Sequence, residues 1–189
     1  MAVLPIRTVG DPVLRTPADP VVSFDARLER LVNDMIDTMY AAPGVGLAAP
    51  QIGVGLRVFV FDTEYDSDEP ASERRPFVVV NPVLTPGAGV QDRPEGCLSV
   101  PGLYFPTPRA LTASVSGVDA SGAPVEYSGE GLLARCFQHE VDHLDGTLYL
   151  AHLTGEDRKA AQAALREGPV DPAEAERAGR ELRFLRRSG

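Results

Sequence analysis

Tryptophan is absent from this 189-residue chain, lysine occurs once, at Lys159, and there are only three histidines and two cysteines, Cys97 and Cys136. Two cysteines are too few for a scaffold held together by disulfides. No apolar run approaches the ~18 residues of a membrane span. Residues 1–7 lack the charged stretch, apolar run and cleavage site of a secretory leader. The expectation is a cytoplasmic, reduced protein whose thiols are free to act as ligands. Positive charge is also short: 18 Lys and Arg against 27 Asp and Glu leave a net charge of −9. That argues against a general nucleic-acid binder, which needs a cationic face. The excess of arginine over lysine reads as codon bias.

What is present is ordinary for a globular chain, with 43% hydrophobic and 24% charged residues. One domain able to bury a real core is the default. Pro5, Pro12, Pro17 and Pro20 keep residues 1–22 irregular. From Phe24 to Met39, Leu28, Leu31, Val32, Met35, Ile36 and Met39 recur at helical steps, with Ser23 as N-cap and Pro43-Gly44 as stop. Leu56–Thr63 and Phe77–Leu84 read as strands, the second buried on both faces. Glu64–Arg75 and Pro86–Pro94 read as loops. Leu111–Val118 alternates and returns through Ser121-Gly122 into Val125–Tyr127, a hairpin. A largely apolar helix follows, capped by Ser128 and closed by a left-handed Gly146. Thr154 and Asp157 read as a capping box for a helix through Arg166, broken at Gly168-Pro169. Pro172–Arg187 is helix-prone and charged. The domain expectation is a catalytic unit over 1–168 and a charged helical tail over 169–189.

The apolar helix carries Gln138-His139-Glu140-Val141-Asp142-His143, an H-E-x-x-H pattern. Four residues along a helix place two side chains ~40° and ~6 Å apart, so His139 and His143 can grip one metal ion. Glu140, on the flank of that stripe, can reach a water at the ion without ligating it. Cys97, in a Gly-flanked segment, is the candidate third ligand. A Cys/His/His set suits Zn²⁺, Fe²⁺, Ni²⁺ or Co²⁺ and leaves a position open for water. Cys136 lies ~10.5 Å from His143 along the axis, too far to join the same ion, and reads as pocket wall or core. The third histidine, His152, has no partner at metal-ligand spacing and reads as structural or exposed. Ser99 lacks a nucleophile-elbow pattern and reads as a hydroxyl bonded to backbone.

Gly44-Val45-Gly46-Leu47-Ala48-Ala49 formally fits a dinucleotide fingerprint. That motif must leave a strand and open a helix, whereas this one leaves a helix and meets Pro50. Its small residues instead let backbone pass close by and deliver Gln51. The Gln51 amide and the Leu98 N–H are then candidate donors to a developing oxyanion. The reaction class is metal-assisted hydrolysis of an amide, with Glu140 as base. A chance histidine pair, a Cys97–His139 cysteine hydrolase, an H-E-x-x-H endopeptidase and a structural metal site in a binding module are the competing readings.

Three segments taken together, Gly44–Gln51, Glu95-Gly96-Cys97-Leu98-Ser99 and Gln138–Gly146, resemble the three signature motifs of bacterial peptide deformylases, in the family's order and separations. Gly10-Asp11-Pro12-Val13-Leu14-Arg15 is similar to that family's start. The likeness covers residues 1–155. It implies an α+β fold, with small antiparallel or mixed sheets around a central helix carrying H-E-x-x-H and a helix near each end. It implies removal of the N-formyl group from the initiator methionine of nascent chains, with transient work near the ribosome. It also implies Fe²⁺ as the native metal, with Zn²⁺ usually less active, held by Cys97, His139 and His143, and Glu140 as the catalytic acid/base. Gln51 and the Leu98 N–H would polarise the formyl carbonyl. Gly46 would bond the substrate backbone, and Val45, Leu132 and Cys136 would line the methionine pocket. Glu95 and Arg109 would form a supporting pair behind the ligands, with Tyr104 at the rim.

Overall fold

The computed structural model describes residues 2–42, 44–69 and 71–168, so the tail expected over 169–189 lies outside the described residues. Among them the regular elements are α1 Ala26–Ala41, β1 Gly46–Ala48, β2 Val58–Phe61, β3 Phe77–Pro86, β4 Val90–Cys97, β5 Val100–Ala110, β6 Thr112–Val118, β7 Pro124–Glu130, α2 Leu132–Leu144 and α3 Gly155–Glu167. Five strands form an antiparallel sheet in the order β1-β2-β3-β6-β7, and β4 and β5 form a separate two-stranded ribbon. This is the α+β arrangement expected from the sequence.

The short strand β2 divides the core. All four of its residues are buried, and alternation sends them to opposite faces. Val58 and Val60 join Val32, Met35 and Met39 of α1. Phe59 and Phe61 join Phe137, Val141 and Leu144 of α2. Each fully buried side chain of this kind contributes roughly 1.5–3 kcal/mol. The sheet is therefore a platform between two helices, and α2, apolar on one side, turns its other side to the β4–β5 ribbon.

Several expected boundaries shift, each for a local reason. Helix α1 starts two residues later than expected, because the Asp25 carboxylate, not Ser23, accepts from the N–H groups of Arg27 and Leu28 at 2.8 and 3.3 Å. Ser128 does not cap α2. It belongs to β7, and the chain turns into the helix at Gly131, whose φ of 58° is a conformation L side chains rarely adopt. Thr154 precedes α3 but its side chain makes no cap bond, so the capping box is not formed. Gly146 does close α2 in the left-handed region.

Strand β3 is not buried on both faces: Phe77 is 41% and Val83 64% exposed. Its register against β6 shifts between Val80 and Val83. There Asn81 adopts φ 52° while its amide group bonds both the N–H and the carbonyl of Val21, at 2.8 and 2.9 Å. Pro86–Pro94 is not wholly a loop, since β4 begins at Val90. Strand β5 runs through Pro101, Pro106 and Pro108. A two-stranded ribbon leaves one edge of each strand unpaired, and proline is tolerated there.

Candidate active site

Helix α2 and strand β4 face each other across the site. Arg135, His139 and His143 follow one another at four-residue steps on α2, and Cys97 ends β4. Cys97 Sγ lies 3.2 Å from His143 Nε2, which lies 3.2 Å from His139 Nε2. These three ligand atoms all fall within 4.8 Å of one another, and all three residues are buried. A thiolate and two imidazole nitrogens converging this closely, away from bulk water, fit one divalent ion.

Behind the ligands sits Glu95, 2% exposed. Its Oε1 accepts from His139 Nδ1 at 2.6 Å and from Arg109 at 2.6 Å. Its Oε2 accepts from Arg109 Nε at 3.0 Å and from Arg135 at 3.2 Å. Burial alone would raise the Glu95 carboxyl, but the bonds from His139 and Arg109 outweigh it and hold the group well below the usual carboxylate range. With Nδ1 committed to an ionised carboxylate, Nε2 is the nitrogen that His139 turns to the ligand cluster. Burial penalises the His139 imidazolium, yet the charges of Cys97 and Glu95 raise its pKa well above normal. His143 moves the other way, lowered by burial and by the charge of His139. Its Nδ1 is buried without a partner among the described residues.

Glu140, 3% exposed, leaves Oε2 without a hydrogen-bond partner among the described residues. Desolvation pushes its pKa up to about 7, against the lowering influence of His139. Gly46 makes room for it: a Cβ there would sit 2.5 Å from Glu140 Oε1 and 2.8 Å from Cys136 Sγ. Gln51 is oriented at both ends. Its Oε1 accepts from the Ala48 N–H at 2.8 Å, which turns Nε2 toward Cys97 Sγ at 3.6 Å and Ser99 Oγ at 3.3 Å. Ser99 thus bonds a side chain, not backbone, through its hydroxyl. The supposed dinucleotide segment is an edge strand entering one turn of 3-10 helix at Ala49–Ile52, and it delivers Gln51 to the site.

The family model for polypeptide deformylase matches residues 3–159. The chain belongs to the polypeptide deformylase family. The curated peptide deformylase of Acidothermus cellulolyticus is 53% identical over 167 residues, 88% of each chain. That of Mycolicibacterium paratuberculosis is 54% identical over 177 residues, 88% of this chain and 89% of the other. A solved peptide deformylase from Legionella pneumophila superposes with a TM-score of 0.79 at 46% identity, covering 88% of this chain and 95% of that one. The structure of the Thermus thermophilus peptide deformylase gives 0.76 at 45% identity, covering 95% and 99%. The chain is accordingly an enzyme, a hydrolase of a metal-dependent family that processes protein N-termini, with a candidate Cys/His/His site for the ion.

Of the other expected residues, Leu132 and Cys136 lie on α2, Val45 precedes β1 and Tyr104 lies on β5. Val45 and Leu132 are half-buried and Cys136 is 3% exposed, its Sγ 3.7 Å from the Val45 carbonyl oxygen. Cys136 stands outside the ligand cluster, as its spacing required. Leu98 follows Cys97 directly and Tyr104 stands opposite Gly96 in the ribbon. His152 proves to be partnered, 2.7 Å from Asp142 Oδ2, and Asp142 in turn accepts from Arg109 at 2.7 Å. Asp142 and Arg135 were not singled out by the sequence. A signal existed for Arg135: it stands four residues before His139, on the same stripe.

Proposed function

We propose that this chain removes the N-formyl group from the N-terminal methionine of new polypeptides, using Cys97, His139 and His143 to hold one divalent ion and Glu140 as general acid and base. The buried Glu140 Oε2, without a partner among the described residues, is the observation that carries this reading. Bound at those three residues, the ion supplies Lewis acidity that acidifies water and polarises a carbonyl oxygen. Glu140 takes a proton from the attacking water, whose oxygen bonds the formyl carbon. The Gln51 amide and the Leu98 N–H donate to the developing oxyanion, each worth roughly 3 kcal/mol in such a role. Glu140 then gives its proton to the methionine nitrogen as the C–N bond breaks, and formate leaves. A carboxyl with pKa about 7 is matched to both halves of that exchange at neutral pH.

Gly46 would bond the substrate backbone along the free edge of β1, and Val45, Leu132 and Cys136 would line the methionine pocket. Residues 1–168 form the catalytic domain in this reading, and the protein works in the cytoplasm. The deciding assay is formate release from formyl-Met-Ala-Ser by the parent and by Glu140→Gln, with metal content measured on both. The variant should retain metal and lose about 10²–10⁴-fold in rate. Equal turnover by the two proteins would remove Glu140 from the mechanism.

Fe²⁺ is the ion we assign, by resemblance to the family and because a thiolate with two imidazoles suits it. An oxidisable ion beside the Cys97 thiolate should lose activity in air. Aerobic purification without reductant is expected to lower both iron content and turnover relative to an anaerobic sample. Unchanged values would favour Zn²⁺ or another air-stable ion.

A further inference from the structure

Arg135 has a place in the site that the reaction above does not use. It is 4% exposed, a charge in the interior that must be matched by partners. Those partners lie along β4. Its guanidinium donates to Gln91 Oε1 at 3.4 Å from two nitrogens, to the Arg93 carbonyl oxygen at 2.8 Å and to Glu95 Oε2 at 3.2 Å. These are alternate residues of one strand, and the next in that series is Cys97. Arg135 itself stands four residues before His139 on α2, so its partner Glu95 also reaches His139 Nδ1.

The metal set is split between these two elements, with the thiol on β4 and both imidazoles on α2. Strand β4 belongs to the two-stranded ribbon and not to the main sheet, so the sheet ladder does not fix its position along α2. Gln138 bonds the N–H and carbonyl of Ala110 on β5, which ties the far end of the ribbon. Arg109 grips Glu95 but comes from β5 of the same ribbon, and it meets α2 through Asp142. Among the bonds described to the β4 side of the ribbon, those of Arg135 span three consecutive same-phase positions from one side chain of the ligand helix.

We infer that Arg135 is a positioning residue of the deformylase site, registering the strand that carries Cys97 and Glu95 against the helix that carries His139 and His143. It touches neither substrate nor reacting atoms. A fork is required because carbonyl, amide and carboxylate are met together, which the single ammonium of lysine cannot do. The inference rests on the proposed metal set, and formate release by the parent protein is the control that tests that set separately.

The experiment uses the full chain loaded with Zn²⁺, with Arg135→Gln, Arg135→Lys and Gln91→Ala as variants. Four quantities are read: the rate of Zn²⁺ loss to a chelator, kcat and KM for formyl-Met-Ala-Ser, and the melting temperature of the metal-free protein. Arg135→Gln should release Zn²⁺ about tenfold faster or more, with kcat falling and KM within about twofold of the parent. Arg135→Lys should recover part of the loss. Gln91→Ala, which removes one anchor of Arg135 without stranding its charge, together with the Gln91 bonds to the carbonyl oxygens of Ala110 and Gly131, should shift metal release in the same direction by a smaller factor. Parental release rate and kcat in the folded fraction of Arg135→Lys and Gln91→Ala, with only the melting temperature lowered, would reduce Arg135 to a structural residue and overturn the inference. If the Arg135 variants do not fold, Gln91→Ala decides it alone, a parental release rate there overturning the inference.

Discussion

Glu140 is the residue whose charge the site accommodates least well. Its carboxyl is buried, has one oxygen unpartnered among the described residues, and has its pKa pushed up to about 7 from an ordinary 4.5. Since the folded state holds the proton more tightly than the unfolded state, folding is favoured by protonation. Stability from this group is fully present below the unfolded value and is lost as pH rises from 4.5 through 7. The loss is on the order of 3 kcal/mol for a shift of this size. In metal-free protein, Glu140→Gln should therefore be little different from the parent near pH 5 and more stable than it near pH 8. Urea unfolding at the two pH values measures this, and the difference between parent and variant isolates Glu140 together with its coupling to His139 and Glu95. A gap between the proteins that stays constant across that range would show that burial does not set the Glu140 pKa.

Strand β1 is only three residues long, yet it fixes both the free edge beside the site and the space Glu140 occupies. Gly46 pairs with Phe61 on one side, and a methyl group at its Cα would overlap Glu140 Oε1 and Cys136 Sγ. Both of those belong to α2, which is packed and cannot retreat. Gly46→Ala should fold, since Gly46 opens a short edge strand and the rest of the sheet and its core are unchanged, and should lose at least about 10²-fold in kcat by displacing a catalytic group. Circular dichroism with kcat and KM checks this, and a kcat within a few fold of the parent would mean Glu140 has room to move. The same element shows what was legible in the sequence. The run Gly44–Gln51 announced close backbone approach through composition alone, and His139, Glu140, His143 and Cys97 announced themselves by residue type and step. The β4–β5 ribbon did not, because its prolines and glycines carry loop statistics and its pairing is written in neither alternation nor apolar content. The link that Asp142 makes between Arg109 and His152 was obscured for a related reason. It runs across three elements, and a sequence displays spacing only within one.

At the scale of the whole molecule the question is where the working unit ends. The family match stops at residue 159, and α3 runs on to Glu167 before Gly168. The site residues all lie at or before His143, and the described segment behind them is tied in by Tyr149, 1% exposed, whose hydroxyl donates to the Leu103 carbonyl oxygen at 2.8 Å. Residues 169–189 contain five arginines against four acidic residues, so removing them leaves a body of charge −10 where the full chain has −9. If the enzyme docks on the anionic ribosome, that body charge opposes the contact and a local basic stretch must supply it. Arg180, Arg183, Arg186 and Arg187 are the candidates for it. A chain ending at Gly168 is accordingly expected to release formate from formyl-Met-Ala-Ser within about twofold of the parent. If docking uses the tail, the same protein should lose co-sedimentation with ribosomes at low salt, where electrostatic contacts are strongest. Unchanged co-sedimentation would leave the tail as a solvated extension, and a large fall in peptide turnover would move the boundary of the catalytic domain beyond residue 168.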